Sequence, residues 1–204
     1  MDIRLLGELE VLDDAGRIVT ISGAKLRALL AVLALRAGRA VSADQLVDAL
    51  WGEEPPAAVR NGLQGLVSKL RRALGSTSLV SIRAGGYALE LPPDAVDAHR
   101  FERLIADGRA AGAEGRIVPA VALLGEADEL WRGDPLAEFD DLDIVSADAR
   151  RLVELRVTAT EERLDLELQL GAHHRVIGEL ESLVASHPLR ERPRALLGRR
   201  WQRP

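Results

Sequence analysis

Residues 57–91 have the sequence AAVRNGLQGLVSKLRRALGSTSLVSIRAGGYALEL, in which a helical pattern is followed by two strand-like runs. Apolar residues recur every three or four positions over 57–74, which predicts a helix with one buried face. The pattern then changes to two alternating runs, 79–83 and 87–91, joined at a Gly-Gly pair. Such runs predict a β-hairpin that follows the helix directly.

The preceding segment supplies the other parts of a small domain. Short apolar runs within 1–21 predict a small antiparallel sheet, and we expect Ser22 to cap a first helix. Ser42 and Gln45 have the spacing of a capping box at the start of a short second helix. A small sheet, three helices and a terminal hairpin is the element order of a winged helix-turn-helix, so we predict such a DNA-binding domain over residues 1–92.

The distribution of charge supports the same interpretation. The chain has 27 basic and 32 acidic residues, and its net charge of −5 by itself argues against a nucleic-acid partner. No acidic residue occurs between Glu54 and Glu90, however. The basic residues of this acid-free interval are Arg60, Lys69, Arg71, Arg72 and Arg83. A basic stretch inside an acidic chain predicts a local site for a polyanion.

Each polar residue of the third helix is assigned by its hydrogen-bonding chemistry. Gln64 and Lys69 are candidates for base edges, because Gln pairs with adenine and Lys with guanine in the major groove. We expect Arg60, Arg71 and Arg72 on phosphates, which position the helix without specifying sequence. The complete predicted DNA-binding set is Arg60, Asn61, Gln64, Gly65, Ser68, Lys69, Arg71, Arg72, Ser81 and Arg83. The alternative is an ordinary solvated helix face, which the adjoining hairpin and acid-free flanks disfavour.

Two glycines lie inside the predicted third helix. Gly62 and Gly65 each cost the helix roughly 1 kcal/mol relative to Ala. They either weaken a phosphate contact or let the backbone approach DNA closely, and both alternatives stay open. Arg83, at the hairpin, is expected to reach the neighbouring minor groove or its phosphates.

The second half of the chain has a different pattern. Everything beyond Asp97, the expected N-cap of its first helix, predicts helix. Four positions of one segment are matched by four of a later one: Gly115, Ala120, Leu124 and Ala127 by Gly171, Val176, Leu180 and Leu183. This spacing is that of the loop and second helix in tetratricopeptide-like helix pairs. We therefore predict an all-helical domain over 97–204, with an extra segment at 134–148 between the two pairs.

Several classes of function are disfavoured. The chain has no Cys, so disulfides and thiolate metal sites are excluded. No window approaches the ~18 uninterrupted apolar residues of a membrane span, and we expect a cytoplasmic protein without a membrane partner. His173 and His174 are adjacent, so on a helix they point ~100° apart and cannot share a metal as an i, i+4 pair would. No phosphate-binding loop or assembled catalytic group is evident, and we expect no enzyme activity and no cofactor.

Short motifs along the whole chain match one family in their order and spacing. In the first half they are GELEV (7–11), KLRALLAVL (25–33), DALWG (48–52), RN (60–61), LQ (63–64), VSKLRRAL (67–74) and GY (86–87). In the second half they are DAHRFE (97–102), LWRG (130–133), LVELR (152–156) and HPLRER (187–192). The chain resembles the Streptomyces antibiotic regulatory protein family, usually abbreviated SARP.

The resemblance implies a response-regulator-type winged helix without a receiver domain, followed by a bacterial transcriptional activation domain. Such proteins activate biosynthetic gene clusters, bind double-stranded DNA at direct repeats near promoters as homodimers, and recruit RNA polymerase holoenzyme. By this resemblance the polymerase-contact loop is formed by Trp51, Gly52, Glu53, Glu54, Pro55 and Pro56. Packing of Trp51 against the first helix is the alternative for that residue.

The resemblance also implies that the helical domain is incomplete. Family members usually continue with further helices, whereas this sequence stops at Pro204. We therefore expect Leu189, Leu196 and Leu197 to be incompletely covered unless dimerisation covers them. The competing function for the chain is a helical-repeat interaction scaffold whose winged helix does not bind DNA.

Overall fold

The computed structural model describes residues 1–52, 55–76, 79–83, 85–139 and 142–199. Its helices are α1 (Ala24–Leu35), α2 (Ala43–Trp51), α3 (Val59–Ala73), α4 (Asp97–Ala113), α5 (Ile117–Glu129), α6 (Asp143–Gln169), α7 (His173–Ser186) and α8 (Glu191–Arg199). Its strands are β1 (Asp2–Arg4), β2 (Glu10–Leu12), β3 (Val41–Ser42), β4 (Val80–Arg83) and β5 (Gly86–Leu89). The expected fold class, mainly helical with a small β component, is confirmed.

The chain divides into two compact units. The first contains residues 1–101 and 130–153, and the second contains 102–129 and the described part of 154–204. The segment 130–153 therefore packs with the N-terminal unit, although it follows two helices of the other unit in sequence. The boundary between a DNA-binding domain ending at residue 92 and a helical domain beginning at residue 97 stays a prediction.

Two small antiparallel sheets lie in the first unit. β1 pairs with β2, and a second sheet has the strand order β3-β5-β4. Gly86 begins the central strand and is paired with Ser42 of β3. A Cβ at residue 86 would lie only 2.0 Å from the carbonyl oxygen of Val41, so this close approach of two backbones requires glycine.

The N-termini of α1 and α2 are capped in different ways. The capping box at α2 is confirmed, because Ser42 and Gln45 exchange side-chain and backbone hydrogen bonds. The prediction that Ser22 caps α1 is wrong, since the N-cap is Gly23 and makes no side-chain bond. Gly23 has φ 97°, a conformation that residues with a Cβ rarely adopt.

Asp97 is the first residue of α4 rather than its N-cap, which corrects the sequence prediction. Its carboxylate is buried and accepts hydrogen bonds from the backbone N–H groups of Leu5 (2.6 Å) and Leu6 (3.1 Å). Burial raises the pKa of Asp97, while these hydrogen bonds and Arg132 oppose that change. The carboxylate thus satisfies two N–H groups that follow β1 and holds the N-terminal strand against the start of α4.

Residues 130–139 form a strap over the same N-terminal segment. The backbone N–H of Arg132 donates to Leu6 O at 2.8 Å, and that of Leu136 donates to Leu5 O and to Gly7 O, both at 3.2 Å. Leu136 itself is buried and has φ 58°. A non-glycine residue in this conformation persists only where its surroundings hold it, which here means a buried side chain and two backbone acceptors.

The strap is fixed at its far end by an ion pair. Glu138 receives Nε and Nη2 of Arg27 at 2.5 and 2.6 Å and also accepts the N–H of Leu9 at 3.0 Å. Burial by itself raises the pKa of Glu138, but the hydrogen bonds from Arg27 and Leu9 outweigh it and hold the pKa below the ordinary value of 4.5.

In the second unit, two helix pairs are built in the same way. The turns from α4 to α5 and from α6 to α7 contain Gly115 (φ 76°) and Gly171 (φ 82°). In each turn the glycine N–H bonds three residues back and the next N–H bonds five residues back, as in a Schellman motif. Of the matched positions after the glycines, Ala120, Leu124, Ala127, Val176 and Leu180 are buried, and Leu183 is partly buried. The tetratricopeptide-like helix pairs predicted from the spacing are confirmed.

The last helix closes an apolar cluster. Leu196 of α8 is 2% exposed and packs with Leu164, Leu168, Val176 and Leu180. The expectation that Leu196 is incompletely covered is therefore wrong, because α6 and α7 already supply its partners. Leu197 is partly buried against the same cluster, whereas Leu189, in the turn before α8, is 95% exposed.

Buried carboxylates in this unit are paired with arginines. Glu167 is 3% exposed and lies 2.9 Å from Nη1 of Arg163 and 3.0 Å from Nη2 of Arg175. Glu161, also 3% exposed, accepts Nη1 of Arg190 at 3.1 Å. These pairs join α6 to α7 and to the turn before α8, because a buried charge requires such partners. Among the described residues no helix is both long and apolar enough to cross a membrane.

The Arg27–Glu138 pair predicts a pH-dependent contribution to stability. Because the pKa of Glu138 is lowered in the fold, its contribution is fully present above pH 4.5 and is lost as the pH falls through the folded-state pKa. Glu138→Gln should lower the free energy of unfolding by roughly 1–3 kcal/mol at pH 7. Urea unfolding at several pH values between 7 and 3.5 measures this difference, which should shrink towards the acid end.

The control for this prediction is Glu126→Gln. Glu126 is an exposed carboxylate of α5, and its substitution should change the free energy of unfolding by less than about 0.5 kcal/mol. A loss of stability in Glu138→Gln that is the same at every pH would contradict the assignment of an ionised pair.

Candidate nucleic-acid interface

Helix α3 presents two different faces. Leu63, Val67 and Leu70 are buried, and the helix packs against α1 and α2. Val67 is buried, whereas the adjacent Leu66 is only partly buried. The exposed residues of the helix include Arg60, Asn61, Gln64, Gly65, Ser68, Lys69 and Arg72. Seven residues of the predicted DNA-binding set thus lie on the solvent side of one helix.

Arg71 differs from its neighbours because its side chain is half-buried. Nε and Nη2 both donate to the carbonyl oxygen of Val80, at 2.9 and 2.6 Å. Val80 is the first residue of β4 and has no exposed surface. Arg71 therefore ties the hairpin β4–β5, which we call the wing, to the C-terminal end of α3.

The remaining predicted contacts, Ser81 and Arg83, lie on the wing. Glu90 engages both of them: one carboxylate oxygen accepts the Ser81 hydroxyl, and the other lies 2.7 Å from Nη2 of Arg83. Ile82 lies between them in sequence and is 69% exposed. The wing thus exposes an isoleucine and an arginine that is held by a carboxylate.

The two glycines of α3, Gly62 and Gly65, have different surroundings. A Cβ at residue 62 would lie 3.4 Å from the ring of Trp51, which is an ordinary van der Waals contact, so packing against Trp51 does not by itself require glycine here. No described atom lies within 4 Å of the place where a Cβ of Gly65 would stand. Gly65 therefore has no packing role within the described chain, and it lies among the exposed residues of the interface.

The segment between α2 and α3 starts at a half-buried aromatic residue. Lys25 of α1 lies with its Nζ 4.9 Å from the ring centre of Trp51 and donates to Leu50 O at 2.6 Å. Gly52 follows with φ 64°. Pro55 and Pro56 are exposed, whereas the Glu53 and Glu54 of the predicted loop lie outside the described residues.

A cleft lies beside this segment. It has a volume of about 540 Å³ and is lined by residues of α2, by Trp51 and Gly52, and by Leu142, Asp143 and Ile144. The α2 residues on its wall include Gln45, Asp48 and Ala49. Asp48 and Asp143 are exposed, and neither carboxylate forms an ion pair with a residue in the described part of the chain. The cleft therefore combines an apolar floor with two open negative charges.

Sequence reasoning missed two acidic residues of the interface. Asp44 of α2 lies 2.9 Å from Nη2 of Arg60, and Glu90 holds Arg83. Strand alternation does place Glu90 on the same face of the hairpin as Ser81 and Arg83, which is the signal that identifies it. No comparable signal exists for Asp44, because its partner lies on another helix.

Comparison with known proteins identifies both halves of the chain. Residues 19–89 match the family model described as "Transcriptional regulatory protein, C terminal", and residues 96–199 match "Bacterial transcriptional activator domain". Regulatory protein AfsR of Streptomyces griseus is 41% identical over 84% of this chain and 17% of its own length. Regulatory protein DnrI of Streptomyces peucetius is 35% identical over 94% of this chain and 74% of its own length.

A solved structure shows the same fold. The chain described as Mycobacterium tuberculosis EmbR in complex with low affinity phosphopeptide has a TM-score of 0.91 and 35% sequence identity. The match covers 96% of this chain and 53% of that one. This chain therefore spans about half of that protein and less than a fifth of AfsR.

The fold, the family models and the relatives together define a transcriptional regulator with a winged helix-turn-helix and a helical activator domain. The chain belongs to the Streptomyces antibiotic regulatory protein family. The family predicted from the motifs in the sequence is thereby confirmed.

The contrast between two adjacent arginines provides a test of the geometry. Arg71→Ala removes both donors from the Val80 carbonyl and should lower the free energy of unfolding by roughly 1–2 kcal/mol. Arg72→Ala, on the exposed face, should stay within about 0.5 kcal/mol of the parent. Chemical denaturation followed by circular dichroism measures both values, and equal losses in the two variants would contradict the link between Arg71 and the wing.

Proposed function

We propose that this chain is a sequence-specific transcriptional activator that places α3 in the major groove of double-stranded DNA. The observation that carries this proposal is the exposed polar and basic face of α3, on a helix whose opposite side is fixed in the core by Leu63, Val67 and Leu70. A helix anchored in this way can insert into the groove, about 12 Å wide, without losing its own packing.

The exposed residues have chemistry suited to distinct parts of the duplex. Gln64 and Lys69 have the donors and acceptors needed for base edges, and Arg60 and Arg72 are placed for phosphates. The exposed Asn61 and Ser68 add short polar groups, and Gly65, which has no side chain, leaves space for a close approach of the DNA to the helix backbone.

The wing extends the proposed surface. Arg71 contributes by fixing the wing to α3, and Ser81 and Arg83 lie on the wing, from which they are expected to reach the adjacent minor groove.

The net charge of the chain does not oppose this function. The acid-free interval from residue 55 to residue 89 contains α3 and the wing, so the local potential differs from that of the whole chain. Binding dominated by phosphates becomes weaker as the salt concentration rises, because counterions are released from the DNA.

Salt titration and two point variants test the DNA-binding surface. Mobility shifts on the upstream region of the gene should weaken steeply between about 50 and 200 mM salt. Lys69→Ala should abolish or relax the preference for that region over random DNA, and Arg72→Ala should weaken binding to both about equally. The loss of a base contact should weaken the free energy of DNA binding by about 1–3 kcal/mol, and the loss of a phosphate contact should weaken it by less.

Other results would reject this proposal. Binding that is undetectable or insensitive to salt in the parent would favour the helical-repeat scaffold with a non-binding winged helix. If both variants bind like the parent, the assignment of α3 as the recognition helix is wrong.

A second part of the proposal concerns RNA polymerase. We infer that the segment Trp51 to Pro56 and the adjoining cleft face the polymerase holoenzyme when α3 lies on DNA. The cleft presents the open carboxylates of Asp48 and Asp143 above an apolar floor, which is complementary to a basic protein segment with apolar side chains.

This part is tested by transcription in vitro. The double variant Asp48→Asn, Asp143→Asn should lower activated transcription by roughly two- to tenfold, because rim charges control association. Its DNA affinity should equal that of the parent, since neither residue belongs to the candidate DNA surface. The control is Asp134→Asn, another exposed carboxylate of the first unit. Unchanged transcription in the double variant would remove the cleft from the proposal.

The family supports three finer proposals. We infer that the chain acts in the cytoplasm, that it binds direct repeats near promoters as a homodimer, and that its target is a biosynthetic gene cluster. Footprinting on the upstream region should show two protected half-sites on one face of the duplex, spaced by about one helical turn.

A further inference from the structure

The arginines at the two ends of the candidate interface are held by carboxylates. On the wing, Nη2 of Arg83 lies 2.7 Å from Glu90, whose other oxygen accepts the Ser81 hydroxyl. At the start of α3, Nη2 of Arg60 lies 2.9 Å from Asp44 of α2. Arg60 is a predicted phosphate contact, and Arg83 is expected to reach the neighbouring minor groove or its phosphates. In the absence of DNA each of them is paired with a carboxylate of the chain instead.

The cations between these two ends are different. Lys69 and Arg72 are exposed and form no ion pair with any residue that the structure describes. The positive charge open to a ligand on α3 thus lies in its C-terminal part, at Lys69 and Arg72, while Arg60 and Arg83 are each paired with a carboxylate.

These ion pairs contribute little to the stability of the fold, and their arginines can exchange the carboxylate for another anion. The side chains of Arg60 and Asp44 are 74% and 77% exposed, and those of Arg83 and Glu90 are 52% and 26% exposed, so the first pair is fully solvated and the second partly so. Exposed ion pairs contribute little to folding, because water and salt screen them. A phosphate presents the same kind of anionic oxygen as a carboxylate and can therefore replace it on the guanidinium.

We propose that Asp44 and Glu90 compete with DNA phosphates for Arg60 and Arg83, and thereby lower the affinity of this surface for DNA of any sequence. The inference rests on the proposed DNA-binding function. DNA binding frees each carboxylate beside the phosphate backbone, where the carboxylate must take up a cation. This uptake offsets part of the counterion release that drives association.

The competition has a measurable size. Each phosphate contact contributes about 0.9 to the slope of log K against log salt on duplex DNA. Removing one competing carboxylate should steepen that slope by up to about 0.9, which at 0.1 M salt corresponds to up to about eightfold tighter binding. A change of the fold alone does not produce a steeper slope together with tighter binding.

The experiment measures fluorescence anisotropy of a random-sequence duplex with the whole chain at four salt concentrations. The variants are Glu90→Gln and Asp44→Asn, alone and together, since Gln and Asn keep an acceptor oxygen but not the charge. The control is Glu114→Gln, which removes an exposed carboxylate paired with Arg116 at 2.6 Å in the other compact unit and changes the net charge equally. Thermal unfolding confirms that every variant is folded.

We expect each variant to bind more tightly and with a steeper salt slope than both the parent and Glu114→Gln, and the double variant to show the larger effect. If the variants bind DNA no more tightly than Glu114→Gln, the proposed competition is wrong. It is also wrong if they bind more weakly than the parent, because the carboxylates would then position the arginines for DNA rather than compete with it. If the parent binds with a normal salt slope and the variants match it, only this inference fails. If neither parent nor variants bind, the proposed function fails with it.

Discussion

The burial of Leu63, Val67 and Leu70 is the constraint on which the interface depends. Three apolar side chains at helical spacing fix the rotation of α3 about its axis, because turning the helix would expose them to water. The opposite face is then necessarily solvent-exposed, and it contains the polar and basic residues. Of the two glycines on this helix, Gly62 lies beside the ring of Trp51, and Gly65 has no described atom near the position of a Cβ.

Two polar or close backbone contacts help to position the wing, whose Val80, Ala88 and Leu89 side chains are also buried. Arg71 donates twice to the carbonyl of Val80, and Gly86 lets the central strand approach the backbone of Val41. The first contact joins the hairpin to α3 and the second joins it to the residues before α2. The relative position of α3 and the wing is therefore set by hydrogen bonding and close backbone packing together with the burial of these apolar side chains.

The N-terminal sheet depends on residues distant in sequence. Asp97 receives two N–H groups of the chain after β1, and the strap at 130–139 adds backbone bonds and the pair between Arg27 and Glu138. The N-terminal compact unit consequently includes part of the segment that the activator-domain model covers. A division of the chain by sequence similarity alone separates residues that are bonded to each other.

The element order, the buried face of α3, the capping box at Ser42 and the two glycine turns could be predicted from the sequence, because each is encoded by residues within a few positions of one another. The sequence also identified the family through motifs spread over the whole chain. The partners of the polar side chains, in contrast, became apparent only from the folded structure. The partners of Asp97, Arg60 and Arg71 lie on other elements, and periodicity says nothing about contacts between elements that are far apart in the chain. For the same reason Leu196 proved buried, since its cluster is assembled from three helices.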